Sequence, residues 1–349
     1  MVAFCLGACV LPVQAERVVN VLTPYADRVD AAVEKALDHL ASTQKEDGSY
    51  GERYGTSAAI PALCGMAFLS AGHTPGYPPY GENINRCIDY VLSLRDKSGY
   101  MGRLGGKMYG HNIAALFLLE VSGMVDDERQ KKLDTAIPEA VKLILTAQQV
   151  EKKPQHQGGW RYHPTSSTSD LSCSGWALMA LRSARLNGIP VPEKAIDDAV
   201  EYVRRMQHPA HGGFGYVAAR RGTRITLAGV GLLCLELTGH HGDKATFRAG
   251  DRILNQYEKM AGLPHFIYGL YYASQGMFQL GGHYWERFAA WMYDYWIPKQ
   301  LDDGSWPRGP KKKDAPGRAY VTSMTVLSFT VPYRQLPIYQ RDETVDEEE

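Results

Sequence analysis

The chain has 349 residues, of which 44% are hydrophobic and 22% charged, so it can bury a large core and is not expected to be disordered. Lysine plus arginine equals aspartate plus glutamate, at 38 each, so no global field favours a nucleic acid, and we expect no nucleic-acid partner. The sequence lacks the phosphate-binding loop, zincin and α/β-hydrolase motifs. We therefore expect neither a cofactor nor a bound metal.

The N-terminal segment reads as a leader. Residues 1–15 are apolar and end in Val13-Gln14-Ala15, whose small residues suit a signal peptidase. We interpret residues 1–15 as a signal peptide and residues 16–27 as a lead-in, which predicts an exported protein, periplasmic or otherwise extracytoplasmic. No later stretch is apolar and long enough to cross a bilayer, so any membrane association is expected to be peripheral. Residues 341–349 form an acidic tail.

Helical periodicity dominates the rest of the chain and divides it into six pairs of predicted helices. The first helix of each pair is the more polar, over residues 28–42, 82–94, 129–148, 192–206, 244–260 and 284–299. The second is more apolar and richer in small residues, over residues 57–70, 112–121, 171–186, 226–237, 266–278 and 320–329. This alternation predicts an all-α fold of two concentric layers, a single α/α toroid (α6/α6 barrel) over residues 28–340.

A short motif recurs about every fifty residues, after the polar helices. Its sharpest copies are Gln300-Leu-Asp-Asp-Gly-Ser-Trp306 and Gln44-Lys-Glu-Asp-Gly-Ser-Tyr50. Looser copies run from Gln207 to Phe214 and from Gln149 to Trp160, and the faintest runs from Arg95 to Tyr100. A glycine after a helix suits the left-handed position that ends many helices. We therefore predict that the motif has a structural role, with the aromatic side chain buried.

The Gln-x-x-x-Gly-x-Trp pattern resembles the repeat of the terpenoid cyclase and protein prenyltransferase superfamily, known as the prenyltransferase and squalene oxidase repeat. The resemblance covers about residues 28–340. It implies a toroid with a central cavity, in which the glutamine and the aromatic residue tie neighbouring helices together. A single barrel is similar to a prenyltransferase β subunit or to half of a squalene cyclase-like enzyme, here in an exported, bacterial-type member.

Polar and aromatic residues gather where the apolar helices begin, which in such a toroid is the mouth of the cavity. We expect nine of them to contact a ligand: Tyr109, His111, Cys173, Trp176, Arg224, His265, Tyr268, Tyr272 and Tyr320. His265, Tyr268 and Tyr272 share one face of a predicted helix. Aromatic faces can stabilise a carbocation, stack on a sugar or fill a core.

Asp170 is the candidate catalytic acid. Class II terpene cyclases carry Asp-x-Asp-Asp near the start of an inner helix, where a protonated carboxyl group protonates an alkene. The matching stretch here is Ser167-Thr-Ser-Asp170, which keeps one of those carboxylates. The alternative is that Asp170 caps its helix. Prenyltransferases hold zinc with aspartate, cysteine and histidine, but the step from Asp170 to Cys173 is one residue longer than in that pattern.

We therefore expect a cavity for an apolar, isoprenoid-like small molecule, which the protein binds or transforms. Two alternatives remain open at this point. A carbohydrate-active α/α barrel would need paired carboxylates at the cavity. A non-catalytic scaffold that binds another protein would fill the cavity with its own side chains. The sequence identifies no protein partner.

Overall fold

The structure, a computed structural model, describes residues 23–340 apart from 52, 105, 221–223 and 309–315. The predicted signal peptide, most of the lead-in and the acidic tail lie outside the described residues. The outer helices are α1 (Ala26–Thr43), α3 (Gly81–Ser93), α5 (Asp127–Gln148), α7 (Glu193–Met206), α9 (Lys244–Leu254) and α11 (Gly282–Trp296). The inner helices are α2 (Ala59–Ser70), α4 (Lys107–Val121), α6 (Leu171–Leu186), α8 (Ile225–Glu236), α10 (Phe266–Leu280) and α12 (Arg318–Phe329).

The six inner helices form a closed ring. Each contacts the next in the order α2, α4, α6, α8, α10 and α12, and α12 contacts α2 again. The outer helices pack around this ring, and α1 lies against α12, so the start and the end of the fold meet. The predicted all-α toroid of six helix pairs is therefore confirmed, with no strand among the described residues.

The two layers differ in burial as their composition predicts. Every residue of the inner helix α8 is buried, because α8 packs against helices on several sides. The outer helix α7 buries a single face, which includes Ile196, Val200 and Val203, and exposes its charged residues. None of the described helices combines the length and the apolar character needed to span a bilayer.

The repeat glutamines link consecutive outer helices. Gln300, which follows α11, donates from its side-chain amide to the carbonyl of Ala32 in α1 (2.8 Å) and to the carbonyl of Gly304 in its own turn (2.9 Å). The Trp306 indole is buried and donates to the carbonyl of Trp296 at the end of α11 (2.8 Å). The predicted structural role of this motif is confirmed.

The repeat glycine allows the turn to lie directly on the next outer helix. Gly304 has φ 80°, and a Cβ built there would lie 2.1 Å from the carbonyl oxygen of Lys35 in α1. Gly158 repeats the arrangement with φ 82° and a Cβ that would lie 1.9 Å from the carbonyl oxygen of Asp198 in α7. Any side chain would therefore push the turn away from its neighbour.

The third copy of the motif uses a different glutamine from the predicted one. Gln149 is exposed, and its neighbour Gln148 is buried. Gln148 donates to the carbonyls of Gly158 (3.0 Å) and Ala195 in α7 (2.8 Å). The turn after α5 is longer than in the other copies, and the linking glutamine is the last residue of the helix itself. The sequence spacing of the motif therefore predicted the wrong glutamine.

The two largest differences from the predicted helix boundaries are at α4 and α9. Helix α4 begins at Lys107, five residues before the predicted start at Asn112, since the intervening Gly110 packs within the helix instead of ending it. The predicted fifth outer helix stops at Leu254, and a separate short turn of helix follows at Tyr257–Met260.

The C-terminal segment closes the barrel at the C-terminal ends of the inner helices. The Tyr339 and Tyr271 hydroxyls are hydrogen bonded (2.6 Å), and the Gln279 amide donates to the Tyr339 carbonyl (2.9 Å). Buried Glu120 accepts from the Ile338 backbone N–H (3.2 Å) and from the Ser183 hydroxyl (2.6 Å). Burial raises the pKa of Glu120 to about 7. This end of the ring is therefore sealed by the chain itself.

We predict that Gln148→Ala lowers the free energy of unfolding by about 1–3 kcal/mol, because two buried hydrogen bonds are lost, one to the Gly158 carbonyl in its own turn and one to the Ala195 carbonyl in α7. The matched control Gln149→Ala changes the same type of residue at an exposed position and should leave stability within about 0.5 kcal/mol of the wild type. Urea unfolding of both variants measures the difference. Equal effects would contradict the assignment of the link to Gln148.

Candidate functional site

A cavity of about 620 Å³ lies inside the ring at the N-terminal ends of the inner helices. Seven aromatic residues line it: Tyr54, Tyr109, Tyr162, Trp176, Tyr216, Tyr268 and Tyr320. The aliphatic wall residues are Ala59, Ile60, Leu63, Ile113 and Leu227. The polar and charged wall residues are Ser57, Ser172, Arg224, Thr226 and His265. The wall contains no carboxylate among the described residues.

Six of the predicted site residues lie on this wall. Each comes from the first turns of an inner helix or from the residue just before one: Tyr109, Trp176, Arg224, His265, Tyr268 and Tyr320. They converge because all six inner helices run in the same direction and begin at the same end of the ring. The N-terminal ends of these helices also carry partial positive charge toward the mouth.

Four predicted site residues do not line the cavity. Buried His111 accepts from the Met101 backbone N–H (3.3 Å) and bonds the Ala140 carbonyl (3.1 Å), and burial lowers its pKa to about 4. The Cys173 thiol is buried and donates to the Arg161 carbonyl (3.2 Å). Tyr272 and Asp170 are buried behind the wall.

The expectation that these four residues contact a ligand directly is therefore wrong, because none of them lines the cavity. Their helical position was right, but the side chains point between helices instead of into the opening. Among the described residues, no three His, Cys, Asp or Glu side chains come together as metal ligands would.

Asp170 caps α6 from behind the wall. One carboxylate oxygen accepts from the Cys173 backbone N–H (2.8 Å) and lies 3.5 Å from the Tyr109 hydroxyl. The other lies 3.9 Å from the Arg161 guanidinium and has no hydrogen-bond partner. Burial raises the pKa of Asp170 to about 6, although the Cys173 N–H, Arg161 and the hydroxyls of Tyr216 and Tyr109 oppose the rise. Asp170 therefore reaches the cavity only through neighbouring hydroxyls.

Two residues of the cavity wall, Tyr162 and Tyr216, were missed by the sequence analysis. Their hydroxyls are hydrogen bonded to each other, and both rings line the cavity. Each lies two residues after a repeat aromatic, Trp160 in one case and Phe214 in the other. That shared offset is a signal in the sequence, but it falls in a loop, where helical periodicity does not predict which way a side chain points.

An aromatic stack forms the floor of the cavity. The Trp176 ring stacks on Tyr271 at 5.3 Å and meets Tyr272 edge-on at 5.4 Å. Tyr272 in turn contacts Tyr268 at 4.9 Å, and the Tyr268 hydroxyl accepts from Ser172 (2.7 Å). Since the Tyr271 hydroxyl bonds the Tyr339 hydroxyl, the floor is continuous with the C-terminal closure.

Backbone strain is concentrated at the mouth. Four residues other than glycine have left-handed backbone in segments that lead into inner helices: Tyr54 (φ 62°), Leu104 (φ 57°), Lys107 (φ 53°) and His265 (φ 62°). Such conformations cost free energy and are common at ligand sites. Tyr54 and Leu104 are also exposed to solvent.

Comparisons with solved structures find the same fold in two classes of enzyme. An inactive variant of the alpha-1,6-mannanase GH76A of Salegentibacter sp. HEL1_6, with two aspartates replaced by alanine and alpha-1,6-mannotetrose bound, has a TM-score of 0.63 at 12% identity, covering 87% of this chain and 99% of the mannanase. The type II terpene cyclase MstE from Scytonema, as an aspartate-to-asparagine variant with geranylgeranyl dihydroxybenzoate, has a TM-score of 0.60 at 13% identity, covering 90% of this chain and 100% of the cyclase. No protein-family model and no curated protein matches the sequence. At these identities the likeness shows the fold alone.

We predict that Asp170→Asn preserves stability at about pH 4, because asparagine caps a helix as well as aspartate does, whereas Asp170→Ala costs about 1 kcal/mol. The raised pKa of Asp170 adds stability that is present below 3.8 and lost as pH rises through about 6. Asp170→Asn lacks that loss, so it should gain stability relative to the wild type above about pH 6. Urea unfolding at several pH values measures this, and parallel pH profiles would contradict it.

Proposed function

We propose that the cavity binds an apolar, isoprenoid-like small molecule. The observation that carries this proposal is the wall itself, which is aromatic and aliphatic and has no carboxylate among the described residues. A volume of about 620 Å³ is in the range of pockets that enclose a ligand of a few dozen atoms. Burial of an apolar chain against such a wall is favourable because it removes apolar surface from water.

The wall favours an isoprenoid over a carbohydrate. Glycoside hydrolysis generally uses two carboxyl groups about 5–10 Å apart that flank the bond to be cleaved. The mannanase neighbour is inactive when two of its aspartates are replaced. Among the described residues, the acid identified beside the cavity is Asp170, which is buried behind the wall and caps α6.

An open cavity also argues against a pure scaffold. In a scaffold the ring interior can be filled, which gives the close packing that stabilises protein cores. Here Trp176, Tyr268 and Tyr109 leave a large space at one end while the other end is sealed. An unfilled cavity and strained backbone lower the stability of the fold, and such a loss of stability is common at ligand sites.

We predict that the wild type binds geranylgeraniol delivered from cyclodextrin and does not bind alpha-1,6-mannotriose. Ala59→Phe, which places a ring in the cavity, should weaken geranylgeraniol binding by on the order of tenfold or more, because the ring occupies space that the chain needs. The matched control Ala31→Phe lies on the exposed face of α1 and should bind as the wild type does. Equilibrium binding measures each case. Binding of the trisaccharide without the alcohol would overturn the proposal.

Asp170 supports a second candidate function, acid-assisted transformation of the bound chain. Its carboxyl group, with a pKa of about 6, lies 3.5 Å from the hydroxyl of the wall residue Tyr109. If the protein converts an added polyprenyl substrate, Asp170→Asn should abolish product formation and leave binding intact, since asparagine has no acidic proton. Product analysis by mass spectrometry tests this. Full turnover by the variant would exclude Asp170 as the acid.

A further inference from the structure

A short segment crosses the C-terminal ends of the inner helices, and we call this segment, residues 336–340, the strap. The chain before the strap is anchored, because the Thr330 hydroxyl just after α12 donates to the Ser70 hydroxyl at the end of α2 (2.8 Å). Arg334 and Gln335 lie between this anchor and the strap and are exposed, and Arg334 has left-handed backbone (φ 52°). Such backbone costs free energy in a residue other than glycine. These two residues therefore form a hinge about which the strap can move.

Polar side chains from three inner helices hold the backbone of the strap. Glu120 of α4 accepts from the Ile338 N–H (3.2 Å). Gln279 of α10 donates to the Tyr339 carbonyl (2.9 Å). Arg182 of α6 donates to the carbonyl of the last strap residue (2.9 Å). Three successive residues of the strap are thus each held by a side chain from a different helix.

The groups that the strap covers are ones that water would also satisfy. Glu120 and Arg182 are buried, although residues of these types are rarely buried in proteins unless they are paired. A permanently closed end could be filled by apolar side chains, since replacing buried ionic groups by well-packed hydrophobic residues is often neutral or stabilising. The strap itself buries Leu336 and Ile338, which keeps the closed state the favoured one. This end of the ring therefore resembles a polar opening with a cover.

The strap also supports the floor of the cavity. The Tyr339 and Tyr271 hydroxyls are hydrogen bonded (2.6 Å), and the Tyr271 ring stacks on Trp176 at 5.3 Å. Movement of the strap would withdraw the Tyr339 hydroxyl from Tyr271. The position of the strap is therefore linked to the floor of the cavity through two aromatic contacts.

We propose that the strap is a releasable gate at the C-terminal ends of the inner helices, and that Glu120 is the latch that makes its release depend on pH. Glu120 holds the strap by a hydrogen bond while it is closed, and its carboxyl group meets water when the strap leaves. The inference goes beyond the proposed function, because release of the strap is measured with no ligand present.

The closed strap favours the neutral form of Glu120. Burial raises the pKa of Glu120 from 4.5 to about 7, although the Ser183 hydroxyl, the strap N–H and the Arg182 charge oppose the rise. Tyr271 and Tyr339 also face Glu120, and burial raises the pKa of both phenols, so they stay neutral. The stability that closure gains from this shift is fully present below about pH 4.5, and it is lost as pH rises through about 7.

Hydrogen exchange of the strap amides tests the gate. The wild type and Glu120→Gln are compared at each pH, so the intrinsic exchange rate cancels. Glutamine keeps an acceptor oxygen for the strap but does not ionise. Between about pH 5 and about pH 8, we expect exchange in the wild type to rise relative to the variant by on the order of tenfold or more.

Two further variants serve as controls, and melting temperatures establish that each one is folded. Glu236, a buried acid at the same end of α8, bonds His241 (2.7 Å) instead of the strap, so Glu236→Gln should keep the wild-type dependence on pH. Tyr339→Phe removes the bond to Tyr271 and leaves the latch in place. It should speed strap exchange several-fold at every pH and keep the same slope, and it tests the gate even if Glu120→Gln does not fold.

The outcomes that overturn the proposal are distinct. A strap that exchanges as slowly as the inner helices at every pH opens only by global unfolding, which would overturn the gate. The same dependence on pH in the wild type and in Glu120→Gln would overturn the latch. A dependence that Glu236→Gln removes as fully as Glu120→Gln would reflect buried charge in general, and would also overturn the latch.

Discussion

The carboxamide of each repeat glutamine bridges a gap that backbone hydrogen bonds leave open, between the end of one outer helix and the start of the next. Gln44, Gln148, Gln207 and Gln300 each bond the carbonyl of a glycine in their own turn and a carbonyl in the following outer helix. The link from Gln300 to α1 joins the last outer helix to the first. Because these links act between neighbours, the ring closes without a partner chain.

Closure of the ring gives its two ends different chemistry. All the inner helices begin at one end, so their first residues, their partial positive charges and the loops after the repeat aromatics meet there. At the other end the chain folds back, and Tyr339 and Glu120 seal the opening. The aromatic floor around Trp176 separates the two ends. The cavity and its apolar wall thus follow from the direction of the helices combined with the residues at their starts.

The fold could be predicted from the sequence because helical periodicity and the repeat each depend on local spacing. The site was predictable in part, since Tyr268 and Arg224 belong to helix starts that the fold brings together. The wrong predictions of site residues concerned the direction in which a side chain points. Asp170 begins an inner helix, but capping turns its carboxylate toward the Cys173 N–H and away from the opening. Tyr162 comes from a loop, whose path no periodicity predicts.

A crystal structure with geranylgeraniol tests most directly whether the cavity holds an apolar, isoprenoid-like chain. The predicted result is a single chain inside the cavity that contacts Trp176 and the aliphatic wall residues. A chain bound outside the cavity would contradict the proposal. So would a cavity that stays closed to the ligand because its own side chains fill the space.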